Sequence, residues 1–203
     1  MFYRFVFAAA LCLAACPAQA ETQQLTCGGI PANSTAASLA KTYGAANVVT
    51  QKVAGAEGAE VKTTVIFPKD KSKRLIVFWK DENARSGIDS LIVRRDDKVN
   101  PTSWEIAGLT LASTLADIEK ANGKSFKLSG FGWDYGGFVN EWNGGKLEKL
   151  AGGCRLVVRL EPGKDADPNA ADKVAGDATF SSSDPNMKAA KPQLVELTLA
   201  YPE

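Results

Sequence analysis

The sequence predicts an α+β protein built as two tandem repeats, each a short helix followed by an antiparallel meander of about four strands. The first observation behind this is internal: residues 29–44 recur 79 positions later as residues 108–123. Gly29/Gly108, Ser34/Ser113, Thr35/Thr114, Ala37/Ala116, Lys41/Lys120 and Gly44/Gly123 are identical, and Leu39 corresponds to Ile118. Self-similarity on this scale marks two copies of one supersecondary unit. The second observation is that each copy is followed by short runs with the alternating apolar pattern of half-buried strands, separated by turn residues. The third is a pair of cysteines, Cys27 and Cys154, one in each half.

The chain opens on a leader. Arg4 supplies a charged start, residues 5–15 an apolar run, and Ala18-Gln19-Ala20 a small-x-small cleavage site before Glu21. Such a segment is a secretory signal peptide, too short to span a bilayer as a mature helix. Leu13-Ala14-Ala15-Cys16 also has the form of a lipobox, in which Cys16 would be lipidated. Cleavage after Ala20 is favoured by Pro17, an awkward neighbour for a lipidated cysteine. Both readings export the chain, to the periplasm or the medium in one case and as an outer-membrane lipoprotein in the other. No later stretch reads as a transmembrane segment.

Residues 21–100 are the first predicted unit. Asn33 or Ser34 is the expected N-cap of its helix, and Gly44 the glycine that ends it. Strands are expected at residues 47–53, 62–67, 74–80 and 88–94, with the basic turn Lys69, Lys71, Lys73, Arg74 as a solubilising hairpin tip. Arg94-Arg95 and Asp96-Asp97 end the last of these strands and are expected to face water. Residues 101–203 are the second unit, with Ser113 as the expected N-cap, Leu115, Ile118 and Ala121 as the apolar stripe, and Gly123 as the stop. Its strands are expected at residues 125–131, 137–142, 154–160 and 193–201. Leu156, Val158 and Leu160 share one strand face, as do Val195, Leu197, Leu199 and Tyr201. Residues 163–191, rich in Asp, Ala, Ser and Pro, read as a long polar loop.

The opening Gly108-Leu109-Thr110, the helix of about ten residues and the closing Asn122-Gly123 resemble the repeat unit of the β-lactamase inhibitor protein family. They also resemble the single-copy fold of the SmpA/BamE outer-membrane lipoproteins. The first copy departs from the motif, with Gly29-Ile30-Pro31 in place of the threonine. The cysteines depart too, because that inhibitor's disulfides lie within each repeat. The resemblance implies a concave sheet surface that grips protein partners and implies no catalytic residues.

Removing residues 1–20 takes away one basic residue, Arg4, and leaves 23 basic against 23 acidic side chains. That balance argues against nucleic acid or an anionic membrane surface as the main partner. In an oxidising compartment Cys27 and Cys154 most simply form one disulfide tying the halves together. The chain has no histidine, which removes Ser-His-Asp and Cys-His chemistry and the usual zinc sites. The remaining catalytic option is a carboxylate pair, Asp134 and Glu141, acting on a glycoside. Asp165-x-Asp167-x-Asn169 copies the start of a calcium loop, but Ala170 replaces its turn glycine and Gly176 its bidentate glutamate, so a solvated loop is expected.

Five aromatics fall within residues 131–142, interleaved with glycines: Phe131, Trp133, Tyr135, Phe138 and Trp142. Rings on such a scaffold offer rigid amphipathic contact area, or pack inward under the domain's own helix. Trp133, Tyr135 and Trp142 are the candidate binding residues, joined by Trp79. The expected role is non-catalytic binding of an envelope or extracellular protein, with no cofactor and no metal. The alternative is a carbohydrate-binding or carbohydrate-active cell-wall protein.

Overall fold

A computed structural model describes residues 22–55, 58–95 and 102–203. The leader with Cys16, and Asp96-Asp97, lie outside the described residues. The protein is mixed α+β with mostly antiparallel sheets. Strand β1 (Gln23–Gln24) precedes helix α1 (Ala36–Tyr43), and a meander follows: β2 (Val48–Ala54), β3 (Glu60–Ile66), β4 (Leu75–Asp81) and β5 (Ser86–Arg94). The second half supplies β6 (Trp104–Glu105), α2 (Leu115–Asn122), β7 (Lys127–Ser129), β8 (Val139–Glu141) and β9 (Arg155–Glu161). It continues with α3 (Pro168–Lys173), β10 (Thr179–Ser181), α4 (Pro185–Ala189) and β11 (Gln193–Ala200).

The strands do not divide into two meanders of four. Six form one sheet in the order β2-β3-β4-β5-β11-β9, three form another in the order β10-β7-β8, and β1 pairs with β6. The last strand joins the halves, since Leu199 lies opposite Leu91 of β5 on one side and Leu156 of β9 on the other. Residues 163–191 are not a long polar loop. Asp167 and Asp184 each cap a short helix with proline in its first turn, and β10 completes the small sheet. Asp167 Oδ1 accepts the backbone N–H groups of Asn169 and Ala170, so the calcium-like motif is a helix cap. The basic turn is likewise docked, with Trp104 Nε1 donating to the Lys73 carbonyl at 2.8 Å.

One face of the six-stranded sheet carries Val77, Leu91, Leu197, Leu199, Leu156 and Val158 into the main core, where Leu39 of α1 and Ile118 of α2 also pack. Ile118 is fully buried, as the apolar stripe predicted. A register shift between Leu194 and Glu196 corrects the expected alternation on β11. Leu194, not Val195, enters the core there. The opposite face carries a smaller cluster of Val53, Val65, Ile76 and Ile92, with Phe78 packed beside it.

Both longer helices start past their expected caps, Asn33 or Ser34 in the first copy and Ser113 in the second. Thr35 and Thr114 are the N-caps, each in a reciprocal box with the residue three positions on, Ser38 and Asp117. A β-branched threonine suits the extended cap backbone while its hydroxyl accepts the N3 amide. Asp117 accepts from the Thr114 amide at 2.9 Å and the Thr114 hydroxyl at 2.7 Å. The Thr114 amide, then its hydroxyl, hold the Asp117 carboxyl below its usual pKa. A depressed carboxylate pKa contributes stability that is complete above the unfolded value of about 3.9 and is lost as pH falls through the lower folded value. Asp117→Asn should therefore cost about 0.5 kcal/mol near neutrality, the scale of an exposed anion in a helix's first turn. Denaturant melts should show the gap from the parent closing below about pH 4; a gap independent of pH would rule out the ionised cap.

Candidate functional site

Residues 130–138 join β7 to β8, and main-chain hydrogen bonds hold this loop at both ends. At its start the Phe131 amide donates to the Val174 carbonyl at 2.9 Å, and the Gly176 amide donates back to the Phe131 carbonyl at 2.9 Å. At its end the Leu160 amide of β9 donates to the Gly137 carbonyl at 2.9 Å, while Gly137 donates to the carbonyls of Ser129 and Gly130. Between these clamps Gly136 closes a tight turn onto the Trp133 carbonyl. The glycines allow this because Gly132 and Gly137 both sit at positive φ.

The clamped loop presents Trp133 and Tyr135. They are 37 % and 53 % exposed and are the exposed large hydrophobic side chains among the described residues. Their rings meet edge to face with centroids 5.5 Å apart. Trp133 Nε1 donates to the Gly130 carbonyl at 3.0 Å, which fixes the indole against its own loop. The result is an aromatic ridge in which the indole is tied to its own loop and the Tyr135 ring packs on it.

Trp142 and Trp79 do not join it. Trp142 is 8 % exposed, with its ring 5.4 Å from that of Phe126. It is drawn inward by buried Asn122 at the end of α2, whose Nδ2 donates to the Trp142 carbonyl at 2.9 Å. The same amide's Oδ1 accepts the Leu147 N–H, so 142–147 folds down over the helix end. Trp79 is 5 % exposed, and its Nε1 donates to Thr64 Oγ1 at 3.0 Å inside the core. Ordinary strand alternation puts this ring in the core with Leu75 and Val77 and leaves Phe78 on the other face with Ile76.

Two clefts flank the ridge, and Trp133, Asp134 and Arg159 line both. One, of about 570 Å³, runs between the loop and the end of β9, with Glu161 and Asp172 on its far wall. The other, of about 470 Å³, lies over the second face of the large sheet, with Gly55 and Gly58 of the β2–β3 hairpin opposite Tyr135. Phe78, Arg94 and Glu196 contribute to that cleft. Arg94 Nε donates to Glu196 Oε2 at 2.7 Å, and its Nη1 donates to the Ala54 carbonyl, so one guanidinium ties β5 to β11 and to the hairpin. Arg94 is thus half-buried and paired rather than solvated. Arg159 Nε donates to the Gly136 carbonyl at 3.1 Å, and its guanidinium carbon sits 5.2 Å from the Phe138 ring centre. It braces the ridge from below while contributing charge to both clefts.

The arrangement offers recognition chemistry: exposed rings at the centre, and both signs of charge around them. The proposed acid–base pair is not assembled in it. Glu141 is exposed on β8, salt-bridged to Lys127 at 2.9 Å, and lines neither cleft. Sequence reading missed Arg94, Arg159, Glu196 and Phe78. Each looks like an ordinary strand residue, and only the sheet order brings them under the loop.

Cys27 and Cys154 are bonded, with their Cα atoms 5.6 Å apart. The pair is compatible with an oxidising compartment. Among the described residues, no helix is long and apolar enough to cross a membrane. Comparison with protein-family models, with curated proteins and with solved structures finds no match.

Proposed function

We propose that this protein is an exported, non-catalytic binding module of the bacterial cell envelope that grips a protein partner through the Trp133–Tyr135 ridge, as an inhibitor or assembly factor. The observation that carries the reading is the pairing of these two exposed rings on a loop held by main-chain bonds at both ends. Interface hot spots are rigid aromatics ringed by polar groups, because a preorganised ring loses little entropy on being covered. Asp134, Arg159 and the Arg94–Glu196 pair supply that polar surround. Export rests on the leader at residues 1–20, cut after Ala20 or lipidated at Cys16, and the disulfide agrees with it. The tandem-repeat origin of the two halves draws support from the matching threonine caps and from Leu39 and Ile118, both buried at equivalent positions.

The test is affinity capture from envelope extract on the immobilised protein, followed by titration of the purified captured protein. Trp133→Ala with Tyr135→Ala should leave the fold intact, as both rings are exposed, and should weaken that complex by about 30-fold or more, the scale of a hot spot of 2 kcal/mol. Equal affinity of parent and variant would overturn the ridge as the contact surface. Cell-wall glycan fragments in the same titration address the alternative, since rings beside Asp134 also suit sugar stacking. Tight glycan binding lost in the variant would replace the protein partner with a carbohydrate.

A further inference from the structure

A separate cleft, of about 640 Å³, lies away from the ridge between the first turn of α2 and the segment that joins α4 to β11. Its volume falls in the range of small-molecule sites. Arg95, the residue after β5, lines it and is held in place from two directions. Nη1 donates to Gln193 Oε1 at 2.6 Å, and Nη2 donates to the Leu111 carbonyl at 3.0 Å. Nε is buried with no acceptor, the one such side-chain atom among the described residues.

The contrast with its neighbour is informative. Arg94 is neutralised by Glu196, whereas among the described residues no carboxylate pairs with Arg95. Lys188 and Lys191 add two exposed cations to the lining. One carboxylate, Glu119, also lines the cleft and accepts the Ser182 hydroxyl at 2.6 Å. Leu115, Ala116 and Pro192 make the rest of the wall apolar. The N-terminus of α2, beside the cleft, is already capped by Thr114 and Asp117.

Three cations against one carboxylate leave the described lining of the cleft net positive, and an oxyanion entering it gains charge-assisted hydrogen bonds. We propose that this cleft binds a small organic carboxylate bearing a short apolar chain. The oxyanion is held by Arg95, Lys188 and Lys191, and the chain lies against Leu115 and Pro192. The site is independent of the aromatic ridge.

Octanoate and inorganic phosphate, titrated calorimetrically into the purified protein at low salt, test this. Octanoate should bind saturably at one equivalent. Lys188→Ala with Lys191→Ala, both exposed and so tolerated by the fold, should weaken it about tenfold, and raised salt should weaken it further. The Trp133→Ala, Tyr135→Ala variant should bind octanoate like the parent. Absence of saturable octanoate binding, or unchanged affinity in the double lysine variant, would overturn the proposal. Phosphate binding as tightly as octanoate would overturn the apolar half of the assignment, and loss of octanoate binding in the ridge variant would move the site to the ridge.

Discussion

Replacing both bonded cysteines, as Cys27→Ser with Cys154→Ser, should lower stability by about 5 kcal/mol. The bond closes a loop with a sequence separation of 127 residues, and on the chain-entropy model a loop of that length removes about that much free energy from the unfolded ensemble. In a chain of this size the change corresponds to a Tm lower by about 10–20 °C. The structure gives the bond a second task. Cys27 lies between β1 and α1, and Cys154 immediately precedes β9. Strand β9 is the edge of the six-stranded sheet, with β11 as its strand partner and the Gly137–Phe138 end of the aromatic loop bonded to its other side. The bond therefore pins the start of the chain beside the strand whose Leu160 and Arg159 hold the aromatic loop. Thermal melts with and without reductant check this. The reduced parent should melt with the double serine variant, and the variant should ignore reductant. A parent with two free thiols in denaturant, and no shift on reduction, would exclude the bond.

Local signals carried well from sequence to structure, and long-range ones did not. The strands at β2, β3, β4, β5, β9 and β11 follow from alternation and turn residues, and their observed bounds lie within two residues of those expected. The threonine caps were legible in principle, as Thr114 and Asp117 have the spacing of a capping box; the serine one residue earlier drew the assignment. The Asp-Pro pairs at 167–168 and 184–185 were equally legible as helix starts. Polar composition hid them, because helices of six and five residues bury little beyond Ala170 and Met187. What no local pattern encodes is that β11 returns between β5 and β9. That one pairing turns two expected meanders into a continuous sheet and puts Arg94 and Glu196 under the ridge. The aromatic cluster divides for the same reason. Trp133 and Trp142 have similar neighbours in sequence, but only Trp142 meets the buried amide of Asn122. Arg95, Lys188 and Lys191 likewise meet only through the fold.

Gly137→Ala should cost about 3–4 kcal/mol and should disable the ridge before it unfolds the protein. Two penalties combine at this position. Its φ is +76°, where a Cβ costs about 1–2 kcal/mol. A methyl there would also lie 1.8 Å from the Leu160 carbonyl oxygen, a backbone atom that cannot rotate away, and overpacking of this kind adds about 1–3 kcal/mol. The clash falls on the contact that seats the loop on β9, since the Leu160 amide donates to the Gly137 carbonyl. Gly132 provides the internal control. It has φ +84° in the same loop, yet a Cβ there meets no atom within 4 Å. Gly132→Ala should therefore cost only the conformational penalty, about 1–2 kcal/mol. Denaturant midpoints of the two alanine variants separate the effects, and their difference measures the close approach of loop to strand. Where Gly137→Ala remains folded, the loop must lift from β9, changing the tryptophan fluorescence and weakening the partner complex, while Gly132→Ala keeps both. Equal midpoints would show that the loop is not seated against Leu160. A normal complex from a folded Gly137→Ala protein would show that binding does not depend on how the ridge is held.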